Sequence, residues 1–230
     1  AKMGWKVGHA GTGMEKGNAE AQRHRDARRE SHSRWKETEI GLVPLDWQVR
    51  NLDELCQLER GGVDPTEIPE TSYVSLGHID SGDPQLHQWG KSTEVKSRKK
   101  NFTPGDVLYG KLRPYLDKAV LAEFEGVCST DILVLKARPE QTTAEFLVNL
   151  LHTRRFLEYA TSTSSGTNLP RTRWSSLRDY KVASPPLPEQ RRIAAALSTI
   201  QKAIAAQDDV IAAARELKRS LMERLFTYGP

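Results

Sequence analysis

The stretch PPLPEQRRIAAALSTIQKAIAAQDDVIAAARELKRSLMERLF, residues 185–226, decides how the rest of the chain is read. After the proline-rich entrance, residues 189–226 contain neither Gly nor Pro and are dominated by Ala, Arg, Glu, Lys, Leu, Ile and Gln, a composition that favours helix. Apolar side chains recur at Ile193, Leu197, Ile200, Ile204, Ile211, Ala214, Leu217, Leu221 and Leu225, with Gln207 in the same row. The steps of three and four follow a heptad seam. A helix of that length spans roughly 55 Å and leaves an apolar stripe in water unless something covers it. The chain predicts no second helix of matching length. Pairing with a second copy or another subunit is therefore expected, with folding back onto its own domain as the alternative. Gln207 in the seam sets register at some cost in stability.

Upstream of this helix the pattern changes. Between Trp47 and Ser184, short apolar runs bounded by Gly, Pro and Asp predict strands at Tyr73–Leu76, Asp106–Tyr109, Lys118–Leu121 and Asp131–Leu135. The stretch Thr143–Tyr159 then places Phe146, Leu147, Leu150, Leu151 and Phe156 near one helical face. Strands followed by a helix imply an α+β domain with an antiparallel or mixed sheet. The expected division is a flexible basic tail over 1–36, a domain over 37–184 and the long helix over 185–230.

The net charge of +4 suggests a nucleic-acid partner, but its distribution weakens that inference. Residues 1–37 hold nine Lys/Arg against five Asp/Glu, and the remainder holds 25 of each. Any argument for DNA must rest on local patches. The two cysteines, Cys56 and Cys128, form no CxxC unit and suggest buried thiols in a reduced compartment. No apolar run approaches the roughly 18 residues of a membrane span, and the first residues lack the apolar segment of a secretory signal. A cytoplasmic location is the expectation.

Three motifs imitate catalysis. Ser184-Pro185-Pro186-Leu187 resembles the Pro-Pro motif of amino-methyltransferases, but Leu187 stands where an aromatic residue would stack on the target base. As a stiff entrance to a helix it needs no further explanation. Asp80, Asp83 and Glu94-Val95-Lys96 loosely match the acidic skeleton of metal-dependent nucleases, though the SRKK that follows is too polar for a buried strand. The glycines of residues 11–17 fit neither phosphate-loop nor dinucleotide spacing, and no two histidines stand four apart. No catalytic residue and no metal or cofactor site is expected on this chain.

Two basic stretches fit a DNA-binding surface better. Residues 91–118 carry eight Lys/Arg against three acids, including Lys91, Lys96, Arg98, Lys99, Lys100, Lys111 and Arg113. Residues 161–181 mix hydroxyls with Thr167, Asn168, Arg171 and Arg173. Phosphates take Lys/Arg charge with hydroxyl and amide donors, whereas base edges take Arg and Asn forks. The competing readings are a solvated basic face and, for Lys111, Arg113 and Lys118, simple ion pairs with Asp117 and Asp131.

Four segments in this order carry a family resemblance: KETEIGLVPLDWQVRNLDEL at 36–55, GDVLYGKLRPYLDKAVLAEFEGVCSTDILVLKA at 105–137, SSGTNLPRTRW at 164–174 and PPLPEQRRIAAALSTI at 185–200. Together they resemble the specificity subunit of type I restriction-modification systems, over residues 36–230. The resemblance implies a target-recognition domain that reads double-stranded DNA without catalysing anything. It also implies partners: methyltransferase subunits carrying S-adenosylmethionine for adenine methylation, and a restriction/translocase subunit using ATP and magnesium. A full member is similar to two such units in tandem, their helices paired as an antiparallel coiled coil. This chain has one unit, so it resembles a half-sized subunit or a fragment. A homodimer through Ile193, Leu197, Ile200, Ile204, Ile211, Leu217, Leu221 and Leu225 would restore two reading heads. The other functional readings are a stand-alone nuclease or methyltransferase, and a coiled-coil assembly protein.

Overall fold

A computed structural model of the chain describes residues 34–64, 70–94 and 97–229. The head is organised around one sheet whose two faces are both covered. That sheet has the order β4 (Cys56–Leu58), β11 (Ile132–Ala137), β8 (Val107–Gly110), β9 (Ala119–Leu121), with antiparallel pairing throughout. Successive side chains of a strand point to opposite faces. Leu133 and Leu135 of β11 therefore join Val107 and Tyr109 of β8 in one core, while Ile132 and Val134 join Leu108 in another. The unbroken apolar run at 132–135 is what a strand buried on both sides requires.

The first face is covered by helices α2 (Ala144–Leu151) and α3 (Arg154–Ser162), which supply Leu147, Leu151 and Phe156 to the core. Leu52 and Leu55 of the short α1 (Leu52–Leu55) fill the same core. The second face packs against a mixed sheet of order β6 (Gly90–Lys91), β5 (Ser72–Val74), β10 (Gly126–Cys128), β7 (Lys100–Phe102), in which β10 runs parallel to β5. The four predicted strands are all present, shifted by one or two residues at their ends.

The Thr143–Tyr159 stretch differs from its expectation. It forms two helices, because Thr143 and Thr153 each cap a separate N-terminus by accepting the N–H of Phe146 and Phe156. Each such cap contributes on the order of 1 kcal/mol. His152, between them, turns its ring to Asp117 and to the carbonyl of Ala119, both at 2.9 Å.

The chain enters and leaves the head side by side. A hairpin of β1 (Trp35–Thr38) and β2 (Gly41–Pro44) leads to β3 (Gln48–Asn51), which pairs antiparallel with β12 (Lys181–Ser184). Trp35 and Lys36, assigned by sequence to the tail, thus belong to a hairpin; residues 1–33 lie outside the described residues.

From the short α4 (Trp174–Leu177) the chain runs along β12 and through Pro185 and Pro186 into α5 (Leu187–Tyr228), a helix of 42 residues and roughly 63 Å in length. Its base is locked to the head by Gln190, whose side chain is fully buried. The Gln190 amide oxygen accepts from Thr142 Oγ1 (2.9 Å) and from the Thr143 N–H (3.2 Å). Its NH2 donates to the carbonyls of Gln141 and Pro185, each at 2.9 Å. Trp47 Nε1 adds a bond of 3.1 Å to Glu189.

Gln190 and Ala194 are the buried residues of α5. Beyond them the helix does not fold back on its head: Ile200, Ile204, Leu217, Leu221 and Leu225 are 48–62% exposed, with Leu197 and Ile211 just under 40%. Ile193, at the base, is half-buried. The expected seam is continuous and uncovered. No helix among the described residues is long and apolar enough to cross a membrane.

Replacing Gln190 by Leu strands at least two buried polar partners, each costing about 1–3 kcal/mol. Urea unfolding is expected to show a loss of about 2–4 kcal/mol; a loss indistinguishable from zero would show that the amide does not hold the joint.

Candidate nucleic-acid interface

The two basic stretches, some fifty residues apart in sequence, meet at one edge of the head. Strand β8 ends at Gly110, and the chain continues through Lys111–Lys118 before re-entering the sheet as β9. Residues 164–173 lie across this segment. The Arg113 N–H donates to the Pro170 carbonyl at 2.7 Å, and the Thr172 N–H donates to the Lys111 carbonyl at 3.0 Å. Single bridges Leu112↔Arg171 and Ser165↔Arg171 complete the junction. Thr167 and Asn168 sit exposed at the tip of the second loop, beyond Gly166, whose φ of +109° is a conformation that glycine adopts without strain.

The acids expected to pair with Lys111, Arg113 and Lys118 are engaged with other residues. Asp131 takes Arg171 in a two-pronged pair, Nε to Oδ1 at 3.0 Å and Nη2 to Oδ2 at 3.4 Å. Hydrogen bonding to Asp131 holds the Arg171 guanidinium above its usual pKa. Asp117 takes His152, and Lys118 donates to the Leu76 carbonyl at 2.6 Å. Among the described residues, Lys111, Arg113 and Arg173 enter no ion pair and no side-chain hydrogen bond. Lys111 and Arg173 border a shallow cleft of about 480 Å³ whose apolar lining includes Leu58, Leu133 and Trp174. Arg171 and Arg173 flank the fully buried Thr172, yet one is a latch and the other is unpaired.

The basic run nearer the second sheet is used differently. Lys99 is buried, donating to Ser97 and lying 5.7 Å from the Tyr73 ring centre. Arg98 donates to the Gly62 carbonyl at 3.0 Å, and Lys91 pairs with Glu70 on the surface. Lys100 donates to the Ile132 carbonyl at 3.2 Å. Burial, and secondarily repulsion from Lys111, lowers the Lys100 ammonium pKa. Lys96 lies outside the described residues. The structure therefore brings Lys111, Arg113, Thr167, Asn168, Arg171 and Arg173 to one edge, while Arg98 and Lys99 hold backbone in place elsewhere.

The features that imitate catalysis have structural roles. Ser184 to Leu187 form the end of β12 and the start of α5. Asp83 accepts from the Gln85 N–H and meets the His87 ring, while Val95 and Lys96 of the loose nuclease skeleton are outside the described residues. Burial pushes both the Cys56 and Cys128 thiols up to about 12, so neither is a ready nucleophile. No group of His, Cys, Asp and Glu suited to a metal ion occurs among the described residues. Sequence reasoning missed the Gln190 joint; its signal was an amide at the second residue after the Pro186-Leu187-Pro188 helix entrance.

The profile of the family described as the type I restriction modification DNA specificity domain matches residues 44–213. The specificity subunit of the type I restriction enzyme EcoDI from Escherichia coli is 28% identical over 209 residues, covering 87% of this chain and 46% of that protein. The MjaIX specificity subunit of Methanocaldococcus jannaschii is 24% identical, covering 71% of this chain and 40% of that protein. Among solved structures, the HsdS subunit from Thermoanaerobacter tengcongensis aligns with a TM-score of 0.63 at 27% identity, over 78% of this chain and 48% of that one. A chain from a structure concerned with complex assembly and conformational transition of the type I R-M system gives 0.65 at 26%, over 80% and 50%. This chain spans about half the length of the relatives it matches.

Each phosphate contact contributes about 0.9 to the slope of log affinity against log salt on duplex DNA. Replacing Lys111, Arg113 and Arg173 together by Ala is expected to reduce that slope by about 2–3 in an anisotropy titration. An unchanged slope would move the DNA face elsewhere.

Proposed function

The chain belongs to the type I restriction modification DNA specificity domain family, and on that premise we propose that it is the non-catalytic, sequence-reading part of a type I restriction-modification complex. One head reads one short half-site. Adenine methylation and DNA cleavage are performed by partners in the cytoplasm: methyltransferase subunits that carry S-adenosylmethionine, and a restriction/translocase subunit that uses ATP and magnesium. The chain itself binds none of these cofactors. The observation that carries the proposal is the pairing of an edge on which Lys111, Arg113 and Arg173 have no acidic partner with a helix whose seam is uncovered. Phosphates satisfy the first and a second helix satisfies the second.

Self-association through α5 gives the head its counterpart. A two-fold arrangement of two chains places the same surface of each against the other, and antiparallel pairing of the helices sets the heads at opposite ends of the rod. Arg191 and Arg192 near the helix entrance, with the proline-rich turn before them, form the surface on which methyltransferase subunits dock.

Asp at positions 197 and 204 buries charge in the seam at a cost no exposed surface would impose. Leu197→Asp with Ile204→Asp is therefore expected to convert a sedimenting dimer to monomer while leaving the head's thermal transition in place. A wild-type chain that sediments as a monomer at high micromolar concentration would contradict the pairing.

A further inference from the structure

Residues 113–117, Arg-Pro-Tyr-Leu-Asp, make a single tight turn with an unusual backbone. Arg113 and Asp117, at its two ends, have φ of +51° and +50°. Neither is glycine, and such left-handed residues persist only where the surroundings impose them. The surroundings do so here. Arg113 N–H is held by the Pro170 carbonyl at 2.7 Å, Asp117 N–H by the Pro114 carbonyl at 3.0 Å, and the Asp117 carbonyl accepts from Gly82 N–H at 2.8 Å. The Asp117 carboxylate is fixed by His152. Pro114 is buried beneath the turn.

The product of this strain is an outward presentation of large apolar side chains. Tyr115 is 51% exposed and Leu116 38%, and Leu169 on the adjoining loop is 46% exposed. Scattered exposed apolar residues are ordinary. These three, however, stand on two loops bonded to each other, on the edge that also carries the unpaired Lys111, Arg113 and Arg173. A protein interface of ordinary composition depletes lysine around its apolar centre; a polyanion requires unpaired cations there. Charge complementarity selects duplex DNA as the occupant.

We propose that Tyr115 and Leu116, supported by Leu169, form a rigid wedge that enters between base steps of bound DNA while the flanking cations hold the phosphates. The proposal rests on the DNA-reading role given above. Partial unstacking of a base step costs a few kcal/mol and is offset by closer contact with the bent duplex. A wedge must resist being pushed back, and the clamped turn provides that resistance. A mobile loop would yield.

The test uses the full chain and two duplexes of one sequence, one fully paired and one with central mismatched pairs that are already poorly stacked. The wild-type chain is expected to bind the mismatched duplex about 5- to 10-fold more tightly, because there the unstacking is largely done. Tyr115→Ala with Leu116→Ala is expected to lose that preference while keeping its salt slope on paired DNA and its thermal midpoint. Tyr115→Phe retains the preference, and Lys111→Ala retains it with a shallower salt slope. A wild-type chain without the preference, or a double variant that keeps it, overturns the wedge and leaves DNA reading intact. A double variant that keeps the preference but no longer dimerises assigns the turn to subunit contact instead. Absence of binding to either duplex overturns the DNA-reading role together with the wedge.

Discussion

The buried amide of Gln190 is the joint between the head and the long helix, the two parts that the proposed function assigns to DNA and to a partner. It sits in the first turn of α5 and bonds to three consecutive residues of the head, Gln141, Thr142 and Thr143, and to the Pro185 carbonyl of the entrance. A buried amide with donors and acceptors all satisfied is rigid, because any displacement exposes several unmet groups at once. Thr143 also caps α2, so the lock ties two helices at their N-termini. Two prolines stiffen the approach, and pairing of β12 with β3 fixes where the approach begins. The base of α5 is consequently tied to the head at several points at once.

That coupling gives meaning to the other unsatisfied surfaces. A head alone would need no rod, and a rod alone would need no orientation. The exposed seam of α5 calls for a partner helix, while the loops around Lys111 and Arg173 call for a polyanion. In the proposed function, the joint between them positions one half-site reader relative to another.

The long helix was legible in sequence because its signal is local and repeats for many turns. The strands at 107–110 and 132–137 were legible for the same reason, although their coverage on both faces shows only once Leu133 and Val134 are seen in different cores. The break between α2 and α3 was not legible. The apolar spacing runs across it, and only the capping role of Thr153 ends one helix and begins the next. Site assignment failed to resolve for a different reason. Arg171 and Arg173 are the same residue type two positions apart, and what separates them is Asp131, forty positions away in sequence. Lys99 likewise reads as a surface cation until the serine and tyrosine around it are placed. Composition records how many charges a segment carries, whereas the fold decides which of them remain unpaired.

The central claim is that each chain supplies one reading head, and that its helix holds two heads in fixed relation. Selection of sequences from a pool of random duplexes by the purified chain, followed by sequencing of those retained, tests it directly. The account predicts two identical short half-sites, inverted with respect to each other and separated by one constant gap. Retained sequences that share a single half-site with no mate at fixed spacing would contradict it.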